Sequence, residues 1–160
     1  MVDVKNFKGL DIFKVFSEKQ LAELAQITET KTFKKGDHVY ERGKKANNIF
    51  VVSKGIVSLN RLEPGEKVGI SFEKREKGEL FGTACFMKPQ EYTLTAVCTK
   101  DSDVLAIDAN KLLKLCEADP ELGYKFLKEV AKIYFERYKI AKRQIHEMVK
   151  APTIITALPG

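Results

Sequence analysis

Several things are scarce in this chain, and each scarcity removes a class of function. No stretch approaches the 18 or so uncharged apolar residues that a membrane-crossing helix needs. The opening MVDVKNFKGLDIF shows no basic segment followed by an apolar run, so no signal peptide is expected and a cytoplasmic location is. Only two histidines occur, His38 in a strand-like stretch and His146 far along a helical one. They fall on different elements, so a shared metal is not expected; His38 reads as a partly buried strand residue and His146 as a solvated one. The few serines lie outside any nucleophile elbow, neither histidine has triad spacing, and no P-loop or dinucleotide fingerprint is present. No catalytic residue, metal or obligate cofactor is therefore expected. Three widely spaced cysteines, Cys85, Cys98 and Cys116, each in an apolar setting, read as reduced core thiols.

What remains is ordinary globular material: 160 residues, 44% hydrophobic and 31% charged, enough for one domain with a real core. The net charge of +6 is unevenly placed. Between Lys125 and Lys150, eight cations face only Glu129, Glu136 and Glu147, so the basic character belongs to one segment and the rest is near neutral. Such a segment suits an acidic partner, nucleic acid, anionic lipid or simply a solvated helix face.

Ser17 with Gln20 three residues on forms a capping box, which predicts a first helix with Leu21, Leu24, Ala25 and Ile27 as its buried stripe. Leu10, Ile12, Phe13, Val15 and Phe16 ahead of it predict a short packed turn. From about residue 30 to 108 the texture becomes β-like. The runs KTF, HVYE, NIFVVSKG, IVSLNRLE, KVGISFEK, TLTAVCT and DVLAID alternate with glycine- or proline-bearing turns at a spacing near ten. That pattern predicts a sandwich or barrel, with no room for βαβ crossovers. Asp108 is placed to cap a short helix to Ala118, and Asp119-Pro120 to end it.

A long helix is predicted over roughly 121–149. Its apolar positions Leu127, Ala131, Tyr134, Tyr138, Ala141, Ile145 and Met148 step alternately by four and three, a heptad seam. Phe126, Val130 and Ile133 add a second apolar edge in its first half. A protruding helix of this kind predicts a second helix alongside, hence a homodimer; packing of the seam on the chain's own N-terminal helices is the alternative. The apolar, proline-bracketed tail 151–160 either stays free or lies across a neighbouring subunit.

Taken in order, these motifs resemble the cyclic nucleotide-binding domain family, whose sensor module also occurs in the catabolite activator protein. FKKGDHVYERGKKANNIFVVSKGIVSL resembles that family's early strands, with Gly36, Gly43 and Gly55 at its turns, and DSDVLAIDANKLLKL resembles its last strand and hinge helix. The likeness runs from about Ile12 to Arg143. It implies a mostly β, eight-stranded jelly-roll-like barrel over about 30–108, N-terminal helices, and C-terminal helices over 109–149, all within one domain of residues 1–150.

The resemblance also assigns GELFGTACFMKPQEYTLTAVC as the phosphate-binding cassette. The family's cassette opens with Gly-Glu and closes with Arg followed by a small hydroxyl residue. Gly82 matches the glycine and Thr93 the hydroxyl residue, but Thr83 stands where the ribose-binding glutamate belongs and Tyr92 where the phosphate-binding arginine belongs. Gly82, Thr83, Ala84, Tyr92 and Thr93 are the candidate site. A short helix starting near Gly82 would still aim N–H groups at an anion, and Lys88 is a nearby cation. Losing one partner of a buried, charged, hydrogen-bonded pair costs about 2–5 kcal/mol, or roughly 30-fold to several-thousand-fold in affinity. A Tyr92 ring turned inward would fill the phosphate volume, and one turned outward would leave a gap. Two functions follow: a homodimeric, non-catalytic sensor with weak or altered affinity for a cyclic nucleotide or other small anion, or a ligand-free dimerisation or adaptor domain. Regulators resembling this module carry a helix-turn-helix after the long helix. Only about ten residues follow here, so sequence-specific nucleic-acid binding is not expected.

Overall fold

The computed structural model describes residues 1–149 apart from positions 64, 67 and 68. The tail 151–160 lies outside the described residues. Two units are distinguished, one ending at Phe126 and one beginning at Leu127.

The first unit opens with 3₁₀ turns at Val4–Phe7 and Asp11–Phe13, followed by α1 (Glu18–Gln26). Phe7 and Phe13 stack at 4.1 Å, and Leu10, Ile12 and Phe16 are buried with them, while Val15 is exposed. The capping box forms as expected: Ser17 Oγ accepts from the Gln20 N–H, and Gln20 Oε1 accepts from the Ser17 N–H. The buried stripe differs, however. Leu21 and Ile27 are only half-buried, whereas Gln20 is buried with Leu24 and Ala25. Gln20 can go inside because its amide is satisfied: Nε2 donates to Asp119 Oδ2 at 3.1 Å and Oε1 accepts from Lys125 Nζ at 3.2 Å.

Eight strands follow: β1 (Thr28–Phe33), β2 (His38–Tyr40), β3 (Asn48–Lys54), β4 (Val57–Arg61), β5 (Ile70–Arg75), β6 (Leu80–Phe81), β7 (Thr95–Cys98) and β8 (Ser102–Asp108). They form two four-stranded sheets in the orders β1-β8-β3-β6 and β2-β7-β4-β5, with every pairing antiparallel. This is the expected mostly β, jelly-roll-like architecture, but the described strands make two sheets and not a closed barrel. β3 and β8 occupy inner positions and are buried on both faces along most of their length, as their near-continuous apolar sequences require. β5 lies at an edge and leaves Ile70 and Phe72 exposed; a register shift at Leu59/Asn60 interrupts its pairing with β4.

β1 begins at Thr28, earlier than the KTF run suggested. Thr28 Oγ1 donates to the Leu24 carbonyl at 2.6 Å, so a side chain closes α1 and the strand starts with no intervening loop. β6 escaped notice because two residues carry no periodicity. In the β3–β4 turn, Gly55 has φ +91°, and a Cβ there would collide with Ser102 Oγ and the Asp101 carbonyl.

α2 (Ala109–Ala118) is capped by Asp108, whose Oδ1 accepts from the Lys111 N–H at 2.9 Å. α3 (Pro120–Met148) begins in the first unit, where Leu122 and Phe126 are fully buried, and supplies the described helix of the second. All seven heptad positions, from Leu127 to Met148, are exposed.

Candidate functional site

Gly82 follows β6 directly and sits in the left-handed region at φ +72°. A Cβ at this position would come within 3.0 Å of Phe50, 3.2 Å of Tyr40 and 3.4 Å of Tyr92, so three rings approach its backbone. The expected helix after it is a single 3₁₀ turn, Thr83–Phe86, closed by the Met87 N–H donating to the Ala84 carbonyl at 3.1 Å. So short a turn aligns too few peptide dipoles to gather appreciable charge at its start. Thr83 and Ala84 are half-buried on it; Thr93 and Lys88 are exposed.

Tyr92 settles the question its side chain posed. It points inward, at 6% exposure, and its ring stacks on Tyr40 with centroids 3.8 Å apart and planes 13° from parallel. Tyr40 stacks in turn on Phe50 at 5.6 Å, and Phe50 on Phe81 at 5.3 Å. The phenol oxygen donates to the Asn48 carbonyl at 2.8 Å and accepts from the Asn48 N–H at 3.2 Å. Its backbone is held as well: the Tyr92 N–H donates to the Lys44 carbonyl and the Tyr92 carbonyl accepts from the Gly43 N–H. Burial pushes the phenol pKa from 10.0 up to about 12, with the Asn48 backbone bond opposing the rise. Ring, hydroxyl and main chain are all committed to the protein. Of the five predicted site residues, Gly82 and Tyr92 come together at this stack, and Thr93 is on the surface.

Sequence reasoning missed Tyr40, Phe50 and Phe81, although HVYE and NIFVVSKG read as strands. It also missed Arg75, 4% exposed at the end of β5. Its Nε donates to the Leu80 carbonyl at 3.2 Å, its Nη1 to the Lys74 carbonyl at 2.7 Å, and its Nη2 to Glu73. The guanidinium thus joins one sheet to the other two residues ahead of Gly82.

A cavity of about 580 Å³ is lined by His38, Glu41, Arg42, Lys44, Glu63 and Glu66, among others. Arg42 bridges it to Glu63 at 3.0 Å. His38 is exposed, not partly buried, with Nδ1 3.5 Å from Glu41. His146 is exposed, and no cluster of three or more potential metal ligands occurs among the described residues. Cys85 and Cys98 are buried and Cys116 is half-buried, all as free thiols; burial raises the Cys85 pKa from 9.0 to about 12. No helix among the described residues is long and apolar enough to cross a membrane.

Two antiparallel sheets, a glycine-led turn between them and a helical C-terminal segment define a jelly-roll-like β domain with flanking helices. The sequence profile of the cyclic nucleotide-binding domain matches residues 30–119, and the chain belongs to that family. A candidate cyclic nucleotide-binding protein of Geobacter metallireducens GS-15 superposes with a TM-score of 0.76 at 25% identity, covering 86% of this chain and 99% of that one. The sensor domain of the transcriptional regulator DNR from Pseudomonas aeruginosa gives 0.67 at 19% identity over 96% and 95% of the two chains. A cGMP-dependent protein kinase of Drosophila melanogaster (isozyme 2, forms cD5/T2) is 24% identical over 135 residues, which is 83% of this chain and 14% of the kinase.

Proposed function

We propose that this chain is a non-catalytic regulatory module of the cyclic nucleotide-binding type whose nucleotide pocket has been closed, so that it works as an adaptor through its long helix. The observation that carries this reading is the Tyr92–Tyr40 stack at 3.8 Å, with the phenol hydrogen-bonded both ways to Asn48. A cyclic phosphate needs a cation and space at the cassette; Tyr92 removes the first and occupies the second. The neighbouring cavity is a poor refuge for a small anion, because Glu41, Glu63 and Glu66 line it against Lys44 and an Arg42 already paired with Glu63. The deciding experiment is calorimetric titration of the protein with cAMP and cGMP. No binding at millimolar nucleotide is the expected outcome, and micromolar or tighter uptake would overturn the proposal.

An adaptor needs a surface to present, and the exposed seam from Leu127 to Met148 supplies it. Pairing with another helix would cover it. Whether that helix belongs to a second copy, as the heptad repeat leads one to expect, or to another protein is read from mass in solution by light scattering.

A further inference from the structure

Two helix starts that stand far apart in the sequence are capped through a single side chain. At the first, Ser17 Oγ accepts from the Gln20 N–H and Gln20 Oε1 accepts from the Ser17 N–H, which closes the capping box of α1. At the second, Asp119 ends α2 with its N–H on the Leu115 carbonyl and then opens α3. Its Oδ1 accepts from the Leu122 N–H at 3.1 Å, and its carbonyl accepts from the Gly123 N–H at 3.0 Å. The Gln20 amide joins the two. Its Nε2 donates to the other carboxylate oxygen, Asp119 Oδ2, at 3.1 Å across 99 residues of sequence. Its Oε1 accepts a second bond from Lys125 Nζ at 3.2 Å, and Glu121 holds that ammonium from the side at 2.7 Å.

The arrangement requires glutamine. Glutamate would serve the capping box and Lys125 equally well, but would set a second carboxylate against Asp119; methionine would supply neither donor nor acceptor. The amide is also enclosed: Gln20 is 5% exposed and Leu122 is fully buried. Phe16, which precedes the cap of α1, lies 6.2 Å from Phe126 in the second turn of α3. Parting the two helix starts therefore strands a buried amide, and losing either cap takes a partner from the other.

We propose that Gln20 is a latch that makes the starts of α1 and α3 open as one unit. Displacing the first turn of α3 then uncaps α1, and fraying of α1 loosens the start of α3. The latch is independent of the closed cassette and of the exposed seam, so its test can fail without touching either. Hydrogen–deuterium exchange of the whole chain, read amide by amide by NMR, supplies that test. Asp119→Ser keeps a hydroxyl cap for Leu122 but offers one oxygen where Asp119 uses two. In this variant the Leu21 amide, which is bonded to the Ser17 carbonyl, is expected to exchange about 5-fold faster, as for one lost hydrogen bond. Ser17→Ala is expected to do the same to the Leu122 and Gly123 amides. Gln20→Glu is expected to speed both sets, although glutamate is itself a good capping-box residue. Amides of β3 and β8 serve as the reference for opening of the whole domain. Acceleration confined to the helix that carries each substitution would overturn the proposal. So would equal acceleration of the β3 and β8 amides, because the loss would then belong to the domain at large.

Discussion

If the Tyr92 ring is a packed plug, removing it must cost more than removing its hydroxyl alone. Tyr92→Phe keeps the stack on Tyr40 and deletes both bonds to the half-buried Asn48 backbone, which costs about 1–2 kcal/mol for the groups left unpaired. Tyr92→Ala deletes the ring as well and leaves a void beneath Tyr40 and Phe50. Aromatic-to-alanine changes in cores cost about 3–5 kcal/mol, and a domain of this size loses about 2–4 °C per kcal/mol, so Tm should fall by about 6–20 °C. Urea unfolding of the two variants beside the parent gives the comparison directly. The reasoning is refuted if the alanine variant is no less stable than the phenylalanine one, since the ring would then be filling nothing. The alanine variant is also expected to gain no nucleotide affinity, because space returns to the cassette without a cation.

Three further outcomes follow from neighbouring groups. Tyr92 titrates near 10 when unfolded and near 12 when folded; its contribution is intact below pH 10 and is lost as the unfolded chain ionises first, about 1 kcal/mol between pH 10 and 11. Urea melts across that range should show the loss, preceded by a shallower one from pH 9 as Cys85 does the same, and Tyr92→Phe should lack the tyrosine part. Gly82→Ala adds a Cβ at φ +72° against three rings and should cost about 1–3 kcal/mol by the same melts. Arg75→Met leaves Glu73 and the Leu80 carbonyl without their shared partner and should cost about 1–3 kcal/mol, with near-ultraviolet circular dichroism reporting any loosening of the aromatic stack.

Much of the fold was legible because it is written locally. The capping box at Ser17, the Asp108 cap and the Asp119-Pro120 stop each placed a helix end to within a residue or so. Strand runs punctuated by glycine placed seven of the eight strands. The burial of Gln20 is not legible in the sequence, because it depends on Asp119 and Lys125, about a hundred residues away, which no helical periodicity can report. The cassette was legible as a departure from a pattern, in Thr83 and Tyr92, but its consequence was not. Which way Tyr92 turns depends on Tyr40 offering a ring and Asn48 a free peptide edge, and both belong to other strands. Arg75 stayed hidden for a related reason: a cation at an inward strand position is intelligible only when the carbonyl that receives it is known.

The stack around Gly82 also bears on how such a domain could change by mutation. Tyr92→Arg taken alone would set an unpaired cation against Tyr40 before any phosphate affinity existed to offset it. Thr83→Glu taken alone would add a carboxylate with no ribose held in place to meet it. Neither substitution taken alone supplies both the phosphate cation and the ribose acceptor of the family's cassette, so the two positions are coupled. Interlocked rings tie the choice of residue at position 92 to those at positions 40 and 50, which lie on other strands.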